Sequence, residues 1–207
     1  MYGSFLELLK SLPWIKKKLV HEPMDELQGL YKQLRKGADG ARADDTANLK
    51  PAIITWLTTS FHPLTPPLRP TSKDGRGFAH DVTGKLLCPA EYQWTLDSVK
   101  TKIRDRDPDF LVTAYSWPTF LYKDFEYDHT DIELGLLRSS LMVKAFKYLF
   151  TSPSSARDVE GDGDGADIIA SSNRRSHQTT KKHVAALMGM RNVTPRSIAY
   201  TAVQVRA

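Results

Sequence analysis

Apolar residues at helical spacing begin at the N-terminus of the chain, where four of the first twelve positions recur three or four residues apart. This pattern predicts an amphipathic helix within residues 1–22. Lysines at 16–18 follow it and leave two interpretations open, a helix that docks on the rest of the protein or one that lies on a membrane surface. Docking is favoured, since amphipathic helices of globular proteins usually cover a core. The apolar positions are Phe5, Leu8, Leu9 and Leu12.

Residues 23–155 are predicted to form the main helical domain. The stretch up to Phe61 has the pattern of two helices, with a break at Gly37 and a proline, Pro51, in the second. The strongest helical pattern is at residues 136–150, where a wide apolar stripe faces lysines on the opposite side.

The centre of this domain has a different pattern. Residues 61–77 contain four prolines without regular periodicity, which predicts an extended surface loop. Residues 78–89 (FAHDVTGKLLCP) place apolar residues on both sides of Thr83 and Gly84, which predicts a short β-hairpin. Seven of the twenty aromatic residues fall within residues 110–127 and are predicted to pack in the core rather than stack on bases, because acidic residues surround them.

Residues 156–180 are predicted to be a disordered linker, because an acidic Asp/Gly-rich run and then a polar basic run have too few apolar residues to form a core. A C-terminal helix pair is predicted at 181–207, packed on the main domain, with Thr194 as the cap of its last helix. No stop signal precedes Ala207, so we expect the chain to end within this helix. The fold class is therefore mainly α, a single helical domain with a small β-hairpin or irregular centre.

Composition narrows the classes of protein. Of 207 residues, 41% are hydrophobic, which excludes a wholly disordered chain. The net charge of +5 is unevenly distributed, because residues 171–207 contain seven Lys or Arg and no acidic residue. Such basic segments contact nucleic acid or an import receptor, although many are only solvated. The residues that would make these contacts are Arg174, Arg175, Lys181, Lys182, Arg191 and Arg196.

Candidate chemistry is sparse, and we expect no catalytic, cofactor or metal site. The single cysteine, Cys88, could pair with His80 as nucleophile and base, but no third residue is placed to orient them. One cysteine also favours a reducing compartment, and Glu7 and Lys10 interrupt the N-terminal apolar run, so no signal peptide is predicted. We expect an intracellular protein, in the cytoplasm or nucleus, that is neither secreted nor membrane-spanning.

Several short motifs occur together and in order. They are 75–80 (GRGFAH), 83–89 (TGKLLCP), 115–118 (YSWP), 135–139 (GLLRS), 150–155 (FTSPSS) and 193–200 (VTPRSIAY). Together they resemble an uncharacterised domain family expanded in mushroom-forming basidiomycete fungi, with the similarity running from about Leu27 to Arg206. Members of that family continue beyond this arginine, so the resemblance implies that the chain lacks a C-terminal part. It implies no reaction, cofactor or site residue.

Three functions follow as hypotheses. The first is a non-catalytic protein-interaction module, with an unknown protein partner at the 61–77 loop and at an apolar face near the C-terminus. The alternative is a nucleic-acid-associated protein, linked to mobile elements, that acts through the basic C-terminal segment. The second alternative is an unrecognised enzyme around His80 and Cys88.

Overall fold

The computed structural model of the chain describes residues 12–156 and 183–207, together with Leu6, Leu9 and Lys10. Helices dominate these residues, so the mainly α prediction is confirmed. The predicted linker lies outside the described residues except for Ala156, which is buried. The helices are α1 (Pro13–His21), α2 (Met24–Ser60), α3 (Asp81–Leu87), α4 (Asp97–Arg104), α5 (Ser140–Phe150), α6 (Val184–Leu187) and α7 (Pro195–Arg206).

The chain divides into two compact units, Met1–Asp45 and Thr46–Ala207. The first unit contains α1 and the N-terminal part of α2, and Ile15 is buried within it. The predicted break at Gly37 is wrong, because α2 continues through this residue. Asp39 forms ion pairs with Arg35 and Arg42, and these support the helix. A glycine inside a helix lowers helix stability by only about 1 kcal/mol relative to alanine, so the helix can continue through it.

The predicted β-hairpin at 78–89 is also wrong, and the described residues contain no strand, only two isolated bridges. Its sequence instead forms a 3₁₀ turn, Gly77–Ala79, followed by α3. His80 caps α3, since its Nδ1 accepts a hydrogen bond from the backbone N–H of Val82 at 3.1 Å. Gly84 therefore lies inside a helix and not in a turn.

The second unit has a core in which α5 and α7 pack together. Leu141 and Met142 of α5 meet Ile54 and Leu57 of α2 in this core, and Phe120 joins them from the central region. A neighbouring cluster contains Leu49, Ala145, Leu149, Phe150 and Ala185. The C-terminal helices thus contribute to the same core as the middle of the chain.

Local capping signals place α5 and α7. The side chain of Ser139 accepts a hydrogen bond from the Met142 N–H at 3.1 Å, so α5 begins at residue 140 and not at 136 as the apolar stripe predicts. Leu137 just before it has a positive φ of 61° and is outside the helix. The predicted cap of the last helix is correct, because Thr194 and Ser197 form a capping box with Pro195 in the first turn.

Candidate docking site

The basic residues predicted from the sequence are only partly within the described residues. Arg191 and Arg196 are exposed, and no ion pair involves either of them in the described part of the chain. Arg196 lies in the first turn of α7. The other four, Arg174, Arg175, Lys181 and Lys182, lie outside the described residues.

His80 and Cys88 both have structural roles. His80 is 1% exposed, and besides capping α3 it donates a hydrogen bond from Nε2 to the Pro66 carbonyl at 2.8 Å. Both ring nitrogens are therefore occupied. Cys88 is fully buried, and burial, reinforced by the negative charge of Glu91, raises the pKa of its thiol to about 12. Such a thiol is protonated at neutral pH and is a poor nucleophile.

The proline-rich loop at 61–77 is anchored to the protein by its apolar residues. Leu64 and Leu68 are buried in the main core, while the four prolines are exposed. Arg76 closes the loop by donating from Nη2 to the Pro70 carbonyl at 3.0 Å, in addition to the His80–Pro66 hydrogen bond. The loop therefore presents polar backbone and proline rings, with its leucines turned inward.

The aromatic residues of 110–127 differ in burial, and three of them, Phe110, Phe125 and Tyr127, are half-buried. Phe120 and Tyr122 are buried, as core packing predicts. Tyr115 and Trp117 are instead 91% and 52% exposed. Apolar side chains that are exposed singly are common, but neighbouring ones that form a contiguous surface are a feature of interaction sites.

These two exposed aromatics line a groove of about 290 Å³ within the second unit. Phe120 and Leu121 form part of its lining and are buried in the core. Ala202, Val203 and Arg206 of α7 line it as well. We call this feature the aromatic groove, lined by residues 114–118, Phe120, Leu121, Ala202, Val203 and Arg206.

The backbone that carries Tyr115 and Trp117 is held by hydrogen bonds. The Tyr115 N–H donates to Thr113 Oγ1 at 3.2 Å, and the Thr113 N–H donates to Ser116 Oγ at 3.0 Å, which makes a compact turn. The carbonyl of Trp117 accepts from the Ala90 N–H at 2.9 Å, beside a bridge between Pro89 and Pro118. The exposed side chains thus project from a fixed backbone.

Arg206 joins α7 to the turn. Its Nη2 donates to the Thr113 carbonyl at 2.8 Å, while the side chain remains exposed. A guanidinium has five N–H donors, so further donors are left for a ligand. The position of α7 is also fixed from the other side, where the hydroxyl of Thr46 donates to the buried Gln204.

The groove suits recognition of a side chain better than acid–base chemistry. None of its lining residues is an acid, a histidine or a cysteine, so the groove itself provides no group for general acid–base catalysis near neutral pH. Its volume is just below the roughly 300–1,000 Å³ typical of pockets for small molecules and cofactors. One or two apolar side chains of a peptide match this size and lining.

Sequence reasoning missed this site, although one signal was present. Residues 111–118 form an uncharged run that contains both Tyr115 and Trp117, and the acidic residues lie outside it at 105–109 and from 124 onward. The sequence predicts one core group of aromatics, because irregular backbone has no period from which burial can be read. None of the helices in the described part of the chain could span a lipid bilayer. The same residues contain no cluster of three or more His, Cys, Asp or Glu side chains that could bind a metal ion.

Comparison with protein families shows a match over most of the chain. Residues 36–207 match DUF6698, a family of unknown function, and this range includes the whole aromatic groove. No curated protein and no solved structure matches the chain.

Proposed function

We propose that this chain, which belongs to the DUF6698 family, is a protein-interaction module that binds an apolar side chain of a partner protein in the aromatic groove. The observation that carries the proposal is the exposure of Tyr115 and Trp117 on a hydrogen-bonded backbone. Tyr and Trp are the residues most enriched at energetic centres of interfaces.

The fixed backbone favours binding for an energetic reason. Ordering a mobile loop on association costs free energy, and a turn already closed by Thr113 and Ser116 avoids most of that cost. An apolar side chain placed between Trp117 and Val203 would remove both from water. Burial of apolar surface contributes about 25 cal/mol per Å², so a few residues suffice for a binding site of moderate affinity.

The enzyme alternative has less support. His80 uses both ring nitrogens for the cap and the Pro66 carbonyl, and the Cys88 thiol is buried and protonated. Their use as base and nucleophile would require the unfolding of α3 and its surroundings. The two residues are better explained as parts of the fold.

A second candidate function, association with nucleic acid, is favoured by one observation. Arg191 and Arg196 are exposed and take part in no ion pair among the described residues. A phosphate backbone would neutralise them together with the basic residues at 174–182. Binding of the full chain to a single-stranded oligonucleotide would then weaken steeply with salt, and no binding at 50 mM salt would exclude it.

The cellular location that we propose for the module is based on the sequence. We place it inside the cell, in the cytoplasm or nucleus, because the one cysteine cannot form an internal disulfide. The resemblance to a family present in many copies in mushroom-forming fungi fits a module whose copies bind different partners, or one linked to mobile elements.

The test is a selection of displayed random 12-residue peptides on the full chain. We expect enriched peptides with an aromatic or large aliphatic residue and with micromolar affinity. Trp117→Ala should weaken their binding by about 2 kcal/mol or more, roughly 30-fold. Trp14→Ala is the matched control, because Trp14 is similarly exposed, at 46%, but belongs to the first unit.

Two outcomes would contradict the proposal. One is that no peptide is enriched over an unrelated control protein. The other is that the enriched peptides bind the Trp117→Ala variant as tightly as the unaltered chain. Trp117→Ala should still be folded at the temperature of the binding assay, which circular dichroism would show, because the Trp117 carbonyl keeps its hydrogen bond from the Ala90 N–H and the indole is only half-buried.

A further inference from the structure

The exposed face of α7 extends the groove into a longer surface. Arg196, Ala199, Val203 and Arg206 follow one another at three- or four-residue steps and are all exposed. Residues at this spacing lie on one face of a helix. We call this face the α7 stripe, with an arginine at each end and small or apolar residues between them.

The charged side chains on and around the α7 stripe have one sign. Residues 183–207 contain no Asp or Glu, and residues 111–118 on the other side of the groove contain no charged residue. No carboxylate in the described part of the chain pairs with Arg196 or Arg206. Arg196 also lies in the first turn of α7, where the helix dipole disfavours a cation. A carboxylate brought by a partner would therefore meet two unneutralised cations.

From this arrangement we propose that the bound segment is acidic, with carboxylates on both sides of the apolar side chain that enters the aromatic groove. The inference rests on the proposed function and specifies its partner. One carboxylate would accept hydrogen bonds from the donors of Arg206 that do not reach Thr113, and the other would accept them from Arg196.

Helix geometry sets the spacing of the two carboxylates. The two arginines are ten positions apart, which corresponds to about 15 Å along α7 at a rise of 1.5 Å per residue. An extended peptide covers this distance in about four or five residues. The expected pattern is an acidic residue on each side of an aromatic or aliphatic one, with the acids four or five positions apart.

The experiment uses the enriched 12-residue peptides, labelled with a fluorophore, and the full chain. We expect acidic residues to be enriched on both sides of the apolar position. Replacement of the acid nearest Arg206 by its amide, and Arg206→Gln, should each weaken binding about 10-fold. Both changes together should also weaken it about 10-fold, because each removes the same charge-assisted contact.

Arg206→Gln also removes the hydrogen bond to Thr113, so this variant alone could weaken binding through a structural effect. The combined change distinguishes the loss of a direct contact with the peptide from such an effect. A merely structural effect would multiply with that of the peptide change and give a loss of about 100-fold. Arg191→Gln is the control, as an exposed cation that is in neither the groove nor the α7 stripe, and it should leave the affinity unchanged.

The outcomes distinguish this inference from the proposed function. Enriched peptides that lack acids but depend on Trp117 would overturn the acidic partner and leave the docking function intact. Enriched peptides that lack acids and bind independently of Trp117 would overturn both the acidic partner and the docking function. Self-association of the chain that is abolished by Trp117→Ala, or displacement of the peptide by a single-stranded oligonucleotide, would assign the surface to a second copy or to nucleic acid and would also overturn the inference.

Discussion

The indole of Trp94 packs directly on the backbone of Gly84, so closely that a Cβ on Gly84 would lie 2.1 Å from Cζ2 of the indole. Trp94 is buried, and its ring also contacts Phe78 at a centroid distance of 5.8 Å. Arg104 covers the indole at 5.6 Å and donates from Nε to the Phe78 carbonyl. This contact fixes α3 against the segment that follows Cys88.

Gly84→Ala should therefore destabilise the protein. The added methyl group needs space that the buried indole occupies, and such overpacking costs about 1–3 kcal/mol. Chemical unfolding followed by circular dichroism would measure the loss. An unchanged free energy of unfolding would mean that Trp94 does not pack on α3 in this way.

His80→Ala should cost about 2–4 kcal/mol of unfolding free energy. It removes the cap of α3 and leaves the Pro66 carbonyl without its partner. His80→Asn should recover only the share due to the cap, since the shorter side chain can accept from Val82 but does not extend to Pro66. Equal stability of the Ala and Asn variants would contradict the capping role.

Cys88 should make the stability depend on pH in the alkaline range. Its thiol has a pKa of about 12 in the folded protein against an ordinary 9.0, so above pH 9 the unfolded chain loses a proton that the folded chain keeps. The contribution of this thiol to the free energy of unfolding is fully present below pH 9. It falls by up to about 1.4 kcal/mol per pH unit as the pH rises towards 12.

The measurement compares the unaltered chain with Cys88→Ala in urea at pH 8.0, 9.5 and 10.5. Tyr122, whose pKa burial also raises, is present in both proteins and cancels in the difference. The pKa of Tyr92 is raised mainly by burial and in smaller part by the charge of Cys88, so most of its contribution cancels as well. The difference in stability should shrink as the pH rises. A constant difference would show that the thiol ionises freely in the folded protein.

Gly37→Ala should stabilise α2. Gly37 is exposed within the helix, nothing lies within 4 Å of a Cβ at this position, and alanine is favoured over glycine by about 1 kcal/mol in a helix. Slower amide hydrogen exchange at residues 34–42 would show the effect. Gly75→Ala is the control: it also has open space, but its φ of +66° disfavours alanine, so this change should destabilise.

Sequence patterns predict the helices that are determined by residues close together in the chain. The apolar stripe of α5 and the Thr194 cap of α7 are readable because a helix repeats its contacts every three or four residues. The same reasoning is wrong at Gly37, where it predicts a break, and at Gly84, where it predicts a hairpin turn. The His80 cap begins α3, and the close packing of Trp94, ten positions along the chain, leaves no room for a side chain at residue 84.

The aromatic groove is harder to predict from the sequence than the helices are. Trp117 is half exposed and Phe120 is buried, although they are three residues apart in the same aromatic run. Their environments differ because α7, some eighty residues later, packs beside one end of this run. The sequence indicated an uncovered apolar face near the C-terminus, but the tertiary contact decides which aromatics remain at the surface.

The most direct test of the interaction function is the affinity of one selected peptide for the Trp117→Ala and Trp14→Ala variants. Isothermal titration at equal salt and pH would give both values against the unaltered chain. If the peptide binds in the aromatic groove, its affinity should fall roughly 30-fold for Trp117→Ala and stay unchanged for Trp14→Ala. Equal affinities for the two variants would contradict it.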